Sequence, residues 1–331
     1  MKKVLWTVLA AILLASCSGK EEALFGKAQH LTQQGKFSKA IQIYSQIIKN
    51  NPNSSAAYAS RGLLFERLKA KDADELKKNK QAAERDYLKA VELNYQQPEI
   101  LNNLAALYID LGNYDDAVMY LNRALALRPN YVMALLNRGV AKSQQGKLGE
   151  ALLDFSEVEE LNPQFPLLYL DRGLAQFAAG YYAGSTEDYT TLMELEPQNP
   201  RPYLERGRAF VKMGYLQNAL DDFYRAIELQ PNYAMPYYYA AELLFSKGEL
   251  EQGISYAQQA KMLASNYAPV YDMLGDMLAL ESPVEATQHY LAARRLDPAH
   301  ANRYQTKIRM MTTEQGRQWI LEHRFLNLGG K

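Results

Sequence analysis

The sequence predicts an all-α solenoid, a row of helical hairpins, and three recurring features predict it. Prolines recur every 34 residues, at Pro129, Pro163, Pro197 and Pro231, and each closes a Leu-x-Pro phrase. Small residues recur at positions 8 and 20 of each repeat, where two helices can pack closely. Glycines recur where the first helix of each repeat should end, in agreement with the preference for Gly after a helix C-terminus. Each repeat is therefore predicted to be a first helix, a turn and a second helix that ends before its proline.

The chain of 331 residues accommodates eight such repeats over residues 21–300. An insertion at 69–81, rich in Lys, Asp and Glu, is predicted to lengthen both helices of the second repeat. Because a solenoid needs its last apolar face covered, residues 301–331 are predicted to form capping helices. The predicted repeats are 21–54, 55–97, 98–131, 132–165, 166–199, 200–233, 234–267 and 268–300.

The repeat also has a large, mostly aromatic residue at a shared position of its second helix, as in Tyr87, Phe155 and Tyr189. Together with the period, the small residues and the proline, this pattern resembles the tetratricopeptide repeat (TPR) family. The resemblance implies a right-handed superhelix whose first helices line a concave groove through positions 2, 5, 9 and 12. Three repeats depart from the pattern: the second and seventh have Tyr95 and Ser265 at the proline position, and the eighth has 281–283 (Glu-Ser-Pro) in place of the glycine turn.

The first residues of the chain are predicted to be a targeting signal. A basic start at 1–3 precedes an apolar run at 4–15, which is too short for a permanent membrane span but typical of a secretory signal. The phrase Leu14-Ala15-Ser16-Cys17 resembles the lipobox of bacterial lipoproteins, which implies signal peptide 1–16, a lipidated Cys17 and a linker to residue 20. Ser18 after the cysteine implies the outer membrane, at its periplasmic face or at the cell surface. An ordinary signal peptide with an incidental cysteine is the alternative.

Four repeats carry an arginine at position 7 and an aspartate at position 23, and the other four carry neither. The pairing persists in the second repeat despite its insertion, so the two side chains are predicted to meet across the helical hairpin. A structural ion pair is the favoured interpretation over a catalytic or ligand-binding set, because such pairs orient helices. The predicted pairs are Arg61 with Asp86, Arg138 with Asp154, Arg172 with Asp188, and Arg206 with Asp222.

The predicted groove is apolar in its middle repeats, which favours an amphipathic helix or an extended peptide as ligand. Asn102 and Asn137 are predicted to hydrogen-bond the backbone of such a peptide. The Lys and Asn of the family's carboxylate clamp, at positions 5 and 9, are absent. Alternatively, some lining residues pack on neighbouring helices or are covered by the C-terminal helices. The predicted apolar lining is Met133, Leu136, Val140, Leu167, Leu170, Leu174, Phe177, Leu204, Val211, Met235, Tyr238 and Phe245.

Charge and motif content disfavour several other functions. Lys+Arg and Asp+Glu both number 37, so no basic excess favours nucleic acid. One cysteine and four scattered histidines give no metal-ligand spacing, and no phosphate loop or nucleophile motif is present. We therefore expect neither an enzyme nor a cofactor.

The sequence predicts a membrane-anchored scaffold that binds other proteins of the bacterial envelope. One alternative is a pilotin-like assembly factor for a secretin or a type IV pilus. Another is a glycan-binding lipoprotein that uses tyrosines as stacking platforms. Those tyrosines are Tyr181, Tyr182, Tyr237, Tyr238 and Tyr239.

Overall fold

A computed structural model describes residues 19–93 and 97–324, and these residues form two compact units that meet between Pro163 and Gln164 in the chain. The described residues form helices and no strand, so the predicted all-α fold is confirmed. The N-terminal unit contains α1 (Gly19–Gln33), α2 (Phe37–Asn50), α3 (Ser55–Arg67), α4 (Ala73–Glu92), α5 (Pro98–Asp110), α6 (Tyr114–Leu127), α7 (Val132–Gln144) and α8 (Leu148–Leu161). The C-terminal unit contains α9 (Pro166–Ala178), α10 (Tyr182–Leu195), α11 (Pro200–Met213), α12 (Leu216–Leu229), α13 (Ala234–Ser246), α14 (Leu250–Leu263), α15 (Ala268–Met277), α16 (Pro283–Leu296), α17 (Ala301–Met310) and α18 (Glu314–Arg324).

The turn inside each hairpin depends on a glycine in six of the repeats. Gly146 follows α7 with φ 77° and Gly180 follows α9 with φ 84°, a left-handed conformation that side chains with a Cβ rarely adopt. The predicted ends of the first helices are therefore confirmed at these positions. The second helices end two residues before their prolines, as α8 does at Leu161.

The two helices of a hairpin meet where a small residue faces a buried ring. A Cβ on Gly139 would lie 2.6 Å from Cε1 of Phe155, and one on Gly173 would lie 2.6 Å from Cε1 of Tyr189. Because no real Cβ contact is this short, position 8 must stay small where the ring packs this closely. The same ring position is fully buried in Tyr87, Phe155, Tyr189, Phe223 and Tyr290.

The insertion of the second repeat lengthens one helix, not two. Helix α3 has 13 residues, like four of the other first helices, whereas α4 has 20 residues where the other second helices have 14. The prediction of a longer first helix was wrong, because the chain leaves the helix after Arg67 and starts α4 at a strong N-cap. There the Asp72 carboxylate accepts a hydrogen bond of 2.7 Å from the Glu75 amide.

The last two helices cover the end of the repeats. Met311 and Ile320 are buried in one cluster with Leu278 and Tyr290 of the eighth repeat. This contact removes the apolar face that the last repeat would otherwise expose to water.

The predicted signal peptide and Cys17 lie outside the described residues. No helix within the described ranges is both long and apolar enough to span a bilayer.

Candidate functional site

The first helices of successive repeats pack side by side within each unit. In the N-terminal unit α5 contacts α7, and in the C-terminal unit α9 contacts α11, α11 contacts α13, and α13 contacts α15. Each unit therefore presents a wall of first helices. We call α5 and α7 the N-terminal wall, and α9, α11 and α13 the C-terminal wall.

Four residues predicted to line the groove are core residues instead. Leu136, Leu170, Leu204 and Phe245 are all buried. Leu204 packs in one cluster with residues of α12 and α13, and Phe245 packs with residues of α14 and α15. Leu136, Leu170 and Leu204 share position 5, so in the fourth, fifth and sixth repeats that position points between helices rather than out of the wall.

Other predicted lining residues do reach the surface of their wall. Leu167 is 42% exposed, the most open of the set. The remaining residues, among them Tyr238, are half-buried, so part of each side chain contacts water. They are Met133 and Val140 on the N-terminal wall, and Leu174, Phe177, Val211, Met235 and Tyr238 on the C-terminal wall.

An arginine that the sequence analysis missed lies at the centre of the C-terminal wall. The Arg208 guanidinium carbon lies 5.0 Å from the ring centre of Phe177 and 5.4 Å from that of Tyr239. Its Nη1 donates a hydrogen bond of 2.5 Å to Glu205. Burial alone would lower the pKa of Arg208, but the charge and hydrogen bond of Glu205, together with the nearby Tyr239 and Tyr189, outweigh burial and raise the pKa. One cation therefore links α9, α11 and α13.

Arg208 and Glu242 both occupy position 9, and Arg201 occupies position 2, so the repeat register would have revealed all three. These charged side chains interrupt an otherwise apolar series at the same positions, so the apolar pattern alone did not predict them. The C-terminal wall is therefore mixed in character, with apolar side chains around fixed charges.

Two polar groups of the C-terminal unit, Tyr189 and Asp171, lie in surroundings that disfavour their charged forms. The Tyr189 hydroxyl has no hydrogen-bond partner among the described residues. Burial raises the pKa of Asp171 to about 6, and the charge of Arg201 opposes that shift. Asp171 therefore changes between its neutral and its charged form at mildly acidic pH.

The two asparagines predicted to hold a peptide hold each other. The Asn137 side-chain amide donates a hydrogen bond of 2.9 Å to Oδ1 of Asn102, and Asn102 is buried. Asn102 is therefore a link between α5 and α7 and is not available to a peptide backbone.

The five tyrosines proposed as a glycan platform do not form one flat surface. The Tyr238 ring meets Tyr239 and Tyr267 edge-on, at interplanar angles of 76° and 81°. Tyr182 meets Phe177 in the same way. Edge-on packing uses the ring faces for contacts between aromatic side chains.

The predicted arginine and aspartate partners lie together in all four repeats. In each pair Nε and Nη2 of the arginine donate to the carboxylate, as in Arg61 with Asp86 at 2.7 Å for both bonds. The hydrogen bond to Asp222 raises the pKa of Arg206. The corresponding Nη2 to Oδ1 distances are 2.6 Å for Arg138 and Asp154, 2.7 Å for Arg172 and Asp188, and 2.8 Å for Arg206 and Asp222.

Three of these arginines also reach the second helix of the preceding repeat, which the sequence analysis missed. Nη1 of Arg61 donates to Ser45 at 3.0 Å, Nη1 of Arg138 donates to Asn122 at 2.9 Å, and Nη1 of Arg206 donates to Thr190 at 3.0 Å. Each partner stands 16 residues before its arginine, at position 25 of its repeat. The arginine thus joins three helices and belongs to the framework rather than to the wall.

The described residues contain no group of three His, Cys, Asp or Glu side chains placed to hold a metal ion. The described residues form helical repeats whose first helices line up as walls. This is the architecture of proteins that bind other chains along extended surfaces.

Comparison with known proteins gives the family. Sequence models of the tetratricopeptide repeat match residues 25–86, 96–164 and 200–233. The chain belongs to the tetratricopeptide-repeat proteins, and the resemblance stated from the sequence is confirmed.

The chain is also similar to one protein by sequence and to two solved structures by fold. Human Protein O-mannosyl-transferase TMTC3 is 33% identical over 117 residues, which are 35% of this chain and 12% of TMTC3. The chain thus spans about an eighth of that relative. A tetratricopeptide repeat protein from Parabacteroides merdae ATCC 43184 aligns with TM-score 0.62 and 21% identity, over 78% of this chain and 98% of the other. PilW, a widely conserved type IV pilus biogenesis factor, aligns with TM-score 0.57 and 19% identity, over 66% and 96%. These likenesses show a shared fold.

Proposed function

We propose that the protein is a scaffold that binds a segment of a partner protein along its C-terminal wall. The observation that carries this proposal is the set of partly exposed apolar side chains on α9, α11 and α13, arranged around Arg208. Leu167, Leu174, Phe177 and Val211 offer apolar contacts from two neighbouring first helices. An amphipathic helix or an extended peptide can cover such a surface with one apolar face.

The wall is held in place before any partner arrives. Arg208 contacts Phe177, Glu205 and Tyr239, and so fixes the surface residues of three helices relative to one another. A preformed surface loses little conformational entropy when a ligand binds, which favours affinity. This preformed surface supports binding as the function, and the likeness to the transferase TMTC3 covers only 12% of that protein.

We place this scaffold at the bacterial envelope, anchored through lipid on Cys17 and exposed at the outer membrane. The apolar run at 4–15 and the Leu-Ala-Ser-Cys phrase support this placement. Stable anchoring needs more than one acyl chain, which the lipobox resemblance implies. An anchored scaffold keeps its captured partners at a high effective concentration near the membrane.

The test is crosslinking capture from membranes with a matched pair of variants in the C-terminal unit. Leu167→Glu places a charge on the wall, where we expect the captured proteins to be lost. Met262→Glu is the control, because Met262 is 70% exposed on α14, a second helix. The same captured set from both variants would contradict binding at the wall. A pilotin-like role, for which PilW shares the fold, predicts that the captured protein is a secretin or pilus subunit.

The anchor has its own test. In Cys17→Ala we expect the protein to move from the membrane fraction to the soluble fraction, whereas Leu167→Glu and Met262→Glu stay with the membrane. Retention of Cys17→Ala in the membrane fraction would contradict a lipid anchor.

A further inference from the structure

A cavity of about 790 Å³ lies between the wall and the two C-terminal helices. We call it the tail cavity. Tyr238 and Glu242 of α13 line one side, Asp272 of α15 lies at its base, and Arg303 of α17 and Trp319 and His323 of α18 line the other. Its volume is within the range of about 300–1,000 Å³ that small-molecule sites occupy.

Some of the charges at the base of the cavity already satisfy one another. The Lys307 ammonium lies 2.6 Å from Oδ1 of Asp272 and 2.7 Å from Oδ1 of Asp276. Arg303 Nη2 donates to the other oxygen of Asp272 at 2.6 Å. A ligand at this base therefore meets paired charges rather than a strong field of one sign.

The outer side of the cavity is aromatic. Trp319 stacks on His323 with ring centres 4.0 Å apart and an interplanar angle of 17°, yet Trp319 is 45% exposed. One face of the indole is covered by the imidazole, so the other face accounts for much of this exposure. A large flat apolar surface beside polar groups is well suited to stacking.

Donors and acceptors both face the cavity. Arg303 is 61% exposed and uses only Nη2 for Asp272, so its other guanidinium N–H groups remain available. Nδ1 of His323 lies 2.9 Å from the Trp319 carbonyl, which places the proton of the neutral ring on Nδ1 and leaves Nε2 as an acceptor. The Glu242 carboxylate accepts and the Trp319 indole N–H donates.

This mixed lining suits a neutral ligand better than an ion. Arg303 would repel a cation in the tail cavity, and Glu242 would repel an anion there. Hydroxyl groups both donate and accept, so they match both sides of the cavity. A sugar ring carries hydroxyls around its rim and C–H groups on its face, and it can stack on the indole while its rim reaches Arg303 and Glu242.

We propose that the tail cavity binds a neutral saccharide. The tail cavity shares Tyr238 and Glu242 of α13 with the C-terminal wall, but Arg303, Trp319 and His323 lie on helices outside that wall. Variants of Leu167 on α9 and of Trp319 on α18 therefore test the two proposals independently.

Tryptophan fluorescence tests this proposal directly, because Trp6 and Trp319 are the two tryptophans of the chain. In the full chain carrying Trp6→Phe, Trp319 is the single tryptophan and reports on the cavity. We expect maltohexaose, cellohexaose or chitohexaose to shift its emission in a saturable manner. Hexa-alanine is the control, since it offers a neutral backbone without a sugar face. A shift with hexa-alanine and with none of the sugars, or no shift at all, would overturn the proposal.

Calorimetry then tests which residues bind the saccharide. In the full chain, Trp319→Leu and Glu242→Gln should each weaken binding about tenfold or more, whereas Trp319→Phe keeps a stacking ring and should retain most of the affinity. Leu167→Glu, on the wall, should leave saccharide binding unchanged. Circular dichroism melting confirms that each variant is folded, and Arg303→Gln serves as a further cavity variant if Trp319→Leu fails to fold. Equal affinity in wild type and all cavity variants would mean that the saccharide binds elsewhere.

Discussion

Buried aspartates are neutralised in two different ways, one within the repeats and one at their C-terminal end. In the second, fourth and sixth repeats, an arginine of the first helix binds an aspartate of the second helix and a polar side chain of the preceding repeat. In the eighth repeat these two positions hold Leu274 and His289 instead. Its buried carboxylates, Asp272 and Asp276, lie on the first helix and are bound by Lys307 of α17.

The difference follows from what each repeat has beside it. In the second, fourth and sixth repeats the arginine reaches back to the repeat that precedes it. The carboxylates of the last repeat are bound instead from α17, which follows that repeat where a further repeat would otherwise stand. The C-terminal helices are therefore bound by a buried ionic contact as well as by the apolar contacts of Met311 and Ile320.

The largest effect is expected from removing the cation of the C-terminal contact. Lys307→Ala leaves two buried carboxylates facing each other, and loss of one partner from a buried pair costs about 3–5 kcal/mol. We expect a clear fall in the melting temperature and faster amide hydrogen exchange in α17 and α18. Arg303→Ala is the matched control, because Arg303 contacts the same Asp272 but is largely exposed. An equal fall in melting temperature in both variants would show that burial does not make the Lys307 contact stronger than the Arg303 contact.

A double-mutant cycle on the sixth repeat measures the other kind of contact. Arg206→Ala and Asp222→Ala remove the partners of a two-bond pair with distances of 2.9 and 2.8 Å. We expect a coupling free energy of about 1–3 kcal/mol from urea unfolding. The control cycle pairs Arg206 with the exposed Asp221, for which we expect a coupling near zero. Equal coupling in the two cycles would contradict a specific pair.

The framework was predictable from sequence because it repeats. The prolines, the small residues that face Phe155 and Tyr189, and the turn glycines each occur several times at one register. Such repetition turns a weak local signal into a specific one. The arginine–aspartate partners were recognised in the same way, by their joint presence and absence across eight repeats. The third partner at position 25 varies between Ser45, Asn122 and Thr190, so its common role was visible only in the structure.

The candidate site was predicted less well, because repeat register does not determine burial. Leu170 and Leu174 are four residues apart on one helix face, yet only Leu170 is buried. The difference depends on how closely the next first helix approaches, which is a property of packing between repeats. The tail cavity could not be predicted at all, because it combines α13 and α15 with helices that follow the last repeat and share no register with it.

Asp171 of α9 is a half-buried carboxylate that forms no ion pair with any described residue, and it extends the comparison to the opposite case. Asp171 is the neighbour of Arg172, but Arg172 binds Asp188, and burial raises the pKa of Asp171 to about 6. Since the pKa of an unfolded aspartate is about 3.9, the folded chain binds more protons between these values, and this group lowers stability as the pH rises from 4 to 6. Asp171→Asn should therefore increase stability by about 2 kcal/mol at pH 7.5 and by much less at pH 4. Parallel stability curves for variant and wild type over this range would contradict the raised pKa.

The smallest effect is expected where an ion pair lies in water. Lys89 and Glu92 on α4 are 2.9 Å apart, with side chains 39% and 67% exposed. The Lys89–Glu92 distance is similar to the distances in the inner pairs. A large coupling free energy between Lys89 and Glu92 would therefore mean that distance alone determines the strength of these ion pairs. Water screens both charges, and we expect a coupling of about 0.5 kcal/mol or less from the same kind of cycle, decreasing further in high salt. A coupling as large as that of Arg206 with Asp222 would show that burial does not separate structural ion pairs from surface ones in this chain.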